Sequence, residues 1–283
     1  MTARRFDEFA ARKTAQAVKA RLEPWKTEFE RRRGDHIAIG SAWTRSLVDG
    51  DFYVSRPSSG DLPSTSLVFV ESREGNTVAK DPSALGGGET DKHVIYEGLS
   101  RVAADAVMAG AETVRGGSIV FSVWHPELVA LRAALGFPRH PIQVVATLRG
   151  IRMDSTLLFN EPGIRVVLLT VASCSDAMRL ELAERPWVTP IVMRSSHDLR
   201  AGFVALRRLG VNTMSCVGGR TLARQLLDAG LVQDLYLTKS PRSGGEPDTP
   251  LHDGPIAGKV VIRKHGTGAD EGVRFVHLTF SRA

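Results

Sequence analysis

Short apolar runs alternate with amphipathic segments through the middle and second half of this chain. Runs such as SLVFV at residues 66–70 and QVVATL at residues 143–148 have the length and composition of buried strands. Between such runs, HPELVALRAALGF at residues 125–137 has helical spacing, with Pro126 in its first turn and Gly136 at its end. This alternation predicts an α/β fold with a mostly parallel central sheet, helices on both faces and right-handed crossovers.

Both ends of the chain depart from the alternation. From Arg4 to about Arg33, apolar residues recur at turn spacing, which predicts a helical arm that Pro24 kinks or splits. The apolar side of this arm must be buried, so we expect it to dock on the main domain or on a second subunit. Near the C-terminus, KVVIRKHGTG and VRFVHLTF predict an antiparallel hairpin at the sheet edge. The predicted division is an N-terminal helical and loop extension at residues 1–63 and an α/β domain at residues 64–283.

The stretch VNTMSCVGGRTLARQLLDAGLVQDL at residues 211–235 is typical of a buried strand, a glycine turn and an amphipathic helix. Thr221 is the predicted helix cap, and Leu222 begins the apolar face. Such a turn leaves backbone N–H groups unpaired at the positive end of a helix, which is how phosphate groups are bound. The same pattern also occurs for packing alone, so the sequence leaves a purely structural role open.

The buried run ADAVMAG at residues 104–110 is a second predicted strand that ends in a glycine. Gly110, Thr113 and Arg115 lie at or just beyond this end, where α/β sheets bind ligands. No strand leads directly into the triple glycine at residues 86–88. We therefore interpret it, with the charged GETDKH that it opens, as a loop bordering a pocket.

Composition narrows the class of protein. The 42% hydrophobic content over 283 residues supports a normal buried core. No apolar run approaches the roughly 20 residues that span a bilayer, and the N-terminus lacks the apolar centre of a secretory signal. We expect a cytoplasmic protein that does not associate with membranes. Cys174 and Cys216 are too few for a disulfide framework or a zinc site, so we interpret them as buried thiols and expect no metal.

The net charge of +6 is concentrated in the N-terminal arm, which includes the cluster at residues 31–33. A basic helix is more often a solvated face than a nucleic-acid site. No aromatic stacking platform or RNA-binding motif accompanies this one. Nucleic-acid binding is therefore the least favoured partner hypothesis.

Three segments together resemble the reductase domain of bacterial riboflavin biosynthesis, the RibD C-terminal-like family with a dihydrofolate-reductase-like fold. They are SREGNTVA at residues 72–79, LSRVAADAVMAGAETVRG at residues 99–116, and CVGGRTLARQLLDAGLVQDLYL at residues 216–237. Their order and spacing match the family over about residues 64–283. The resemblance implies a homodimeric, NADPH-dependent enzyme that reduces a small heterocycle, such as a phosphoribosyl-aminopyrimidine or a pterin.

The resemblance also implies roles for individual residues of the first two motifs. The family usually shows Ser-Leu-Asp-Gly where this chain has Ser72-Arg73-Glu74-Gly75, so Glu74 keeps a carboxylate on a longer side chain. By resemblance, Glu74 lies nearest the reacting centre, while Ser72 and Arg101 contact the substrate. The implied cofactor contacts of the second motif are Gly110, Ala111, Thr113, Val114 and Arg115.

The third motif departs from the family at one position. The family typically has Glu-Gly-Gly where this chain has Val217-Gly218-Gly219, so the substrate contact at Val217 is apolar. The cofactor half is kept, because backbone N–H groups and one cation remain available to dinucleotide phosphates. The residues concerned are Gly218, Gly219, Arg220, Thr221 and Leu222. The family's companion deaminase domain needs a cysteine-containing zinc signature, and residues 1–63 contain no cysteine.

The sequence therefore favours hydride transfer from NADPH to a C=N or C=O group of a flat polar heterocycle. NADPH preference over NADH follows from the resemblance and from nearby cations, namely Arg115, Arg149, Arg152 and Arg220. A catalytically silent nucleotide-binding protein of the same fold is the main alternative, and Glu74 is equally compatible with a turn carboxylate satisfied by neighbouring N–H groups.

Overall fold

One large sheet organises the chain. The computed structural model describes residues 2–31, 33–115, 117, 119–195 and 198–281. Within these residues, ten strands pair in the order β1-β11-β12-β10-β4-β9-β5-β6-β7-β8, and β2 and β3 form a separate antiparallel pair. The strands are β1 Trp25–Glu30, β2 His36–Ile39, β3 Phe52–Ser55, β4 Ser64–Glu71, β5 Ala106–Gly110, β6 Ile142–Ala146, β7 Val166–Val171, β8 Val188–Met193, β9 Thr213–Cys216, β10 Asp234–Lys239, β11 Lys259–Gly266 and β12 Arg274–Thr279.

The predicted fold class is confirmed. From β10 to β8 every neighbouring pair of strands is parallel, whereas β12, β11 and β1 are antiparallel additions on one side. Parallel strands place their carboxyl ends on the same edge of the sheet, which is where the predicted motifs end.

Helices cover both faces of the sheet. Successive residues of β5 point to opposite faces, so Val107 and Ala109 enter one core while Ala106 and Met108 enter the other, all four fully buried. The first core packs against α1, α6 and the helical segment at residues 88–102, and the second against α9 and α10. The helices are α1 Thr2–Lys19, α2 Ala42–Val48, α3 Gly88–Thr90, a π-helical segment Asp91–Leu99, α4 Ser100–Val102, α5 Ala111–Val114, α6 Pro126–Ala134, α7 Ala172–Ala177, α8 Arg179–Ala183, α9 Leu199–Arg208 and α10 Arg220–Asp228.

The N-terminal arm is only partly helical. Helix α1 docks on the main core as expected, with Phe9 buried edge-on against Trp124. After Pro24, however, the chain forms strand β1, which pairs with β11, so the predicted helix up to Arg33 is wrong there. Trp25 is 1% exposed and packs on Phe275, which explains why the arm belongs to the sheet. The boundary at residue 63 stays a prediction. Arg32 of the predicted basic cluster lies outside the described residues.

Two further predictions are corrected. The C-terminal hairpin forms, but β12 lies between β11 and β10 and is paired on both sides, so it is not an exposed edge. The stretch at residues 88–93 is helical and not a loop, because Gly88 begins a helical segment that extends to Val102 with a kink at Gly98. The edges of the sheet are β1 and β8.

Two remaining expectations concern the thiols and the membrane. Cys174 and Cys216 are both free and buried, as predicted, and burial raises the pKa of the Cys216 thiol to about 12. Among the described residues, the helices are too short or too polar to cross a bilayer.

Candidate functional site

The two predicted glycine turns meet at the carboxyl edge of the sheet. Strands β5 and β9 are neighbours, so Gly110 and Gly218 follow their ends side by side, and the Gly110 N–H donates to the Gly218 carbonyl at 3.2 Å. Gly219 has φ +85°, and a methyl group built there would lie 3.6 Å from the Gly110 backbone. The two turns therefore pack against each other and form one surface, here called the glycine surface.

The short helix α5 supports this surface. Ala111 and Val114 are buried and anchor it, while Thr113 packs against Gly218, where an added methyl group would lie 3.1 Å from the threonine side chain. Arg115 is exposed just after α5 and pairs with Glu112 at 3.0 Å. Because both partners of this pair are on the surface, it contributes little stability and Arg115 can turn toward an anion.

Helix α10 begins directly at the glycine pair. Arg220 is the first helical residue, and the residue before it, at the N-cap position, is Gly219. Gly219 has no side chain that could cap the helix. The predicted cap by Thr221 is therefore wrong, because Thr221 lies inside the first turn. The first-turn N–H groups remain without a side-chain cap at the positive end of a nine-residue helix, an arrangement that suits a phosphate. Leu222 is buried in the second core, so it offers only its backbone.

Arg220 is engaged within the protein. Its guanidinium donates to the Pro250 carbonyl and, at 3.0 Å, to Asp253, which also binds Arg224. A phosphate near Arg220 would compete with the exposed Asp253 carboxylate for this cation.

Val217 and Arg101 lie behind the glycine surface. Val217 is 4% exposed, and its carbonyl accepts a hydrogen bond from the Tyr96 hydroxyl at 3.2 Å. The Arg101 guanidinium lies over the Tyr96 ring at 4.5 Å and donates to the Ser122 carbonyl. Arg101 is 2% exposed, and burial lowers its pKa. The structure thus places Arg101 in the layer that supports Val217, and a substrate contact by either residue stays a prediction.

The first motif forms a turn that is tied to a distant loop. Ser72 is buried, and its hydroxyl donates to the Glu74 carboxylate at 3.0 Å, which also accepts the Gly244 N–H at 3.1 Å. Hydrogen bonds from Ser243, Gly244 and Ser72 lower the pKa of Glu74 to about 2. Glu74 is consequently a fixed anion at neutral pH and a poor proton donor.

A buried acid nearby was missed from the sequence. Asp91 is 8% exposed, accepts a hydrogen bond from the Thr238 hydroxyl, and fits where Gly87 has no side chain. Burial, with a smaller effect of the Asp270 charge, raises the pKa of Asp91 to about 7. A carboxyl group with this pKa can donate a proton at neutral pH.

The signal that could have identified Asp91 is helical spacing. Asp91, Ile95 and Leu99 recur at four-residue intervals, so on a helix the carboxyl shares the face of two buried aliphatic side chains. The three glycines at residues 86–88, just before Asp91, are typical of a loop and therefore favoured a loop there.

The acid and the glycine turns flank the same strand end. Thr238 lies on β10 opposite Val70 of β4, and β9 and β5 follow on the other side of β4. Three interstrand steps of about 4.8 Å separate β10 from β5, a span of roughly 14 Å. A ligand that contacts both groups would therefore have to extend about this far along the edge of the sheet.

Comparison with known proteins gives a family match and several similar structures. The family model described as the RibD C-terminal domain matches residues 76–269. Among solved structures, a pyrimidine reductase-like protein from Corynebacterium diphtheriae is 23% identical, with a TM-score of 0.64 over 78% of this chain and 93% of that one. A comparison with curated proteins gives no match.

Two more distant structures extend the comparison. The riboflavin biosynthesis reductase of Saccharomyces cerevisiae is 12% identical, with a TM-score of 0.55 over 80% of this chain and 93% of that one. A Thermotoga maritima diaminohydroxyphosphoribosylaminopyrimidine deaminase/5-amino-6-(5-phosphoribosylamino)uracil reductase is 17% identical, with a TM-score of 0.56 over 78% of this chain and 57% of that one. At these identities the structures establish a common fold, and this chain spans little more than half of the Thermotoga chain.

Proposed function

Since this chain belongs to the RibD C-terminal domain family, we propose that it is an NADPH-dependent reductase of a small heterocycle, of the phosphoribosyl-aminopyrimidine or pterin type. The observation that carries the proposal is the contact between the Gly110 and Gly218 turns at the carboxyl edge of the sheet, beside the uncapped start of α10. Membership in the family supports a nicotinamide-dependent reductase of the riboflavin pathway, and the substrate and NADPH preference belong to our proposal.

The residues present fit a dinucleotide. Gly218 and Gly219 pack closely against Thr113 and the Gly110 backbone, and the first N–H groups of α10 supply donors and a positive helix end for a pyrophosphate. Arg220 is the first residue of α10, and Arg115 follows α5, which starts at the Gly110 turn. We assign these two cations to a 2′-phosphate. When bound, NADPH supplies the hydride.

The chain itself has to supply the proton that accompanies reduction of a C=N or C=O group. We assign this role to Asp91, because its raised pKa keeps much of the carboxyl protonated at neutral pH. Glu74, held as an anion by Ser72 and Gly244, instead positions the turn or accepts a hydrogen bond from the substrate. The sequence-based hypothesis that Glu74 lies nearest to the reacting centre stays a prediction.

A cofactor titration tests the proposal directly. We expect NADPH to quench the tryptophan fluorescence of the purified chain and to bind at least tenfold more tightly than NADH, about 1.4 kcal/mol. Turnover would then be sought by following NADPH oxidation with aminopyrimidines and pterins. If neither nucleotide binds, the glycine turns are structural and the proposed function fails. Equal affinities would remove the 2′-phosphate assignment alone.

Gly219→Ala should separate cofactor binding from backbone strain. Gly219 and Gly210 both have positive φ, +85° and +91°, but only Gly219 faces the Gly110 turn. An alanine at either position should cost about 1–2 kcal/mol of folding free energy. We expect Gly219→Ala to weaken NADPH binding by about tenfold, because its methyl group fills the space between the two turns. Gly210→Ala should bind NADPH normally, and a similar loss of affinity in both variants would contradict a binding role for Gly219.

A silent nucleotide-binding protein of the same fold is the second candidate. Val217 in place of the family's glutamate and Glu74 in place of its aspartate favour it. It predicts NADPH binding without oxidation by any aminopyrimidine or pterin.

Nucleic-acid binding through the basic arm has lost support as a third candidate. Helix α1 is docked on the core, and its Lys13 is paired with Glu97. DNA retention that disappears when residues 1–60 are deleted would restore it.

A homodimer is also part of the proposal, although β12 is not the exposed strand that the sequence indicated. Elution of the purified protein at twice its mass of 30.7 kDa would support it, and a monomeric profile at micromolar concentration would count against it.

A further inference from the structure

Three buried side chains converge at the amino edge of the sheet, far from the glycine turns. His36 begins β2, Asp234 begins β10, and His277 lies on β12. Their exposures are 7%, 2% and 1%. Both imidazoles direct Nε2 at the same Asp234 oxygen, Oδ1, at 3.0 Å from His36 and 2.7 Å from His277.

His36 lies between two carboxylates. Its Nδ1 lies 2.9 Å from the Asp35 carboxylate, while its Nε2 lies 3.0 Å from the Asp234 carboxylate. With a metal ion between Nε2 and Asp234, the imidazole would keep one N–H, at Nδ1, which would donate to Asp35.

This arrangement is the one in which proteins orient metal-binding histidines. A carboxylate behind the imidazole fixes the tautomer and raises the basicity of the nitrogen that binds the metal. Asp35 occupies that position behind His36 and is itself held by Arg33 at 2.9 Å. The other Asp234 oxygen accepts the Ser55 N–H at 3.3 Å, which fixes the carboxylate plane.

A small cavity adjoins Asp234. It has a volume of about 30 Å³, and its lining residues include Ser55, Ser64, Ser66 and Thr213. One water needs about 10–15 Å³ of such space and two or more polar partners. The cavity is therefore large enough for a water molecule beside Asp234.

We propose that His36, Asp234 and His277 bind one divalent transition-metal ion, with Zn²⁺ as the best match. The three ligand atoms lie within 4.8 Å of one another, and two imidazole nitrogens with one carboxylate oxygen form a donor set that Zn²⁺ prefers. The burial of the ligands and their separation from the glycine turns indicate a structural role. The ion links the segment before residue 64 to β10 and β12.

Metal binding by the full-length chain tests the proposal. Protein treated with a chelator and dialysed should take up one equivalent of Zn²⁺ and gain thermal stability on doing so. With Co²⁺ as the probe, it should show the visible absorption bands of a bound ion. Asp234→Asn keeps the shape of the side chain. This variant and His277→Gln should each fail to bind one equivalent of Zn²⁺ and should each lack the Co²⁺ absorption bands. His252→Gln is the matched control, because His252 is a partly buried histidine that also pairs with an aspartate, Asp228.

Absence of a stoichiometric ion and of Co²⁺ bands in the wild-type chain would overturn the proposal. The cluster would then be a hydrogen-bonded network around a protonated His36. The proposal would also be overturned if soluble Asp234→Asn still bound one equivalent of Zn²⁺. Should that variant fail to fold, the wild-type metal content and the Co²⁺ spectrum decide. These readouts do not require NADPH, so they stand independently of the proposed reductase activity.

Discussion

Asp91→Asn should lower kcat of the proposed reductase by roughly 100- to 10,000-fold while leaving NADPH affinity unchanged. The amide keeps the size of the carboxyl and can still accept the hydrogen bond from Thr238, but it has no proton to donate. Steady-state kinetics with the substrate identified by screening, together with a fluorescence titration of NADPH, would measure the two effects separately.

The pH dependence of the reaction rate should also show that Asp91 is the proton donor. With a pKa of about 7, the donating form of Asp91 predominates below pH 7, and its fraction falls about tenfold for each unit above it. We therefore expect the wild-type rate to decline on the alkaline side and the residual rate of Asp91→Asn to lack that decline.

Folding stability gives an independent check on the variant. Because the folded-state pKa is raised, the stabilising contribution of Asp91 is fully present below about pH 4 and is lost as pH rises through about 7. Asp91→Asn avoids this loss, so at pH 8 it should unfold at no lower denaturant concentration than the wild type. A loss of activity in a stable variant could not then be attributed to unfolding.

Glu74→Gln is the matched comparison for Asp91→Asn. Both variants replace a carboxylate at the same edge of the sheet, but the low pKa of Glu74 excludes it as the donor at neutral pH. We expect its pH profile to keep the alkaline decline. A larger loss of kcat in Glu74→Gln than in Asp91→Asn, with that decline abolished, would return the assignment to Glu74.

Trp25→Ala should destabilise the fold by about 3–5 kcal/mol, the cost of removing a large buried aromatic side chain. Trp25 is 1% exposed, packs against Phe275 and donates its indole N–H to Asp270 at 3.3 Å. Equilibrium unfolding in denaturant, read by circular dichroism, would give the change in free energy.

Phe29→Ala in the same strand provides the control. Phe29 is 39% exposed, so its loss should cost less than about 1 kcal/mol although its backbone pairing is the same. Equal effects from the two substitutions would mean that β1 contributes backbone pairing and no core packing. The N-terminal segment would then be an accessory to the fold.

The strands and the glycine turns could be predicted because their signals are local. Residues 106–109 are apolar and fully buried, and Gly110 ends the run, so the sequence indicates both the strand and its turn. Strand β9 and the pair Gly218–Gly219 repeat this pattern. Parallel pairing then brings both turns to one edge, and that follows from topology alone.

Strand β1 and Asp91 could not be predicted because they depend on partners distant in sequence. Trp25 and Phe29 are four residues apart, which suits a helix, and only pairing with β11 makes the segment a strand. The raised pKa of Asp91 arises from burial beneath elements that include Thr238 and Asp270. The predicted helix cap at Thr221 is wrong because the residue before the helix is Gly219, so the helix begins two residues earlier.

The pairing of β1 with β11 also affects how the chain is made. Trp25 lies opposite Gly266, so the strand leaves the ribosome more than two hundred residues before its partner exists. At about 5–20 residues per second, that interval is on the order of tens of seconds. During synthesis, β1 must remain unpaired and Trp25 exposed, or be held by a chaperone. Completion of this side of the sheet is consequently a post-translational step.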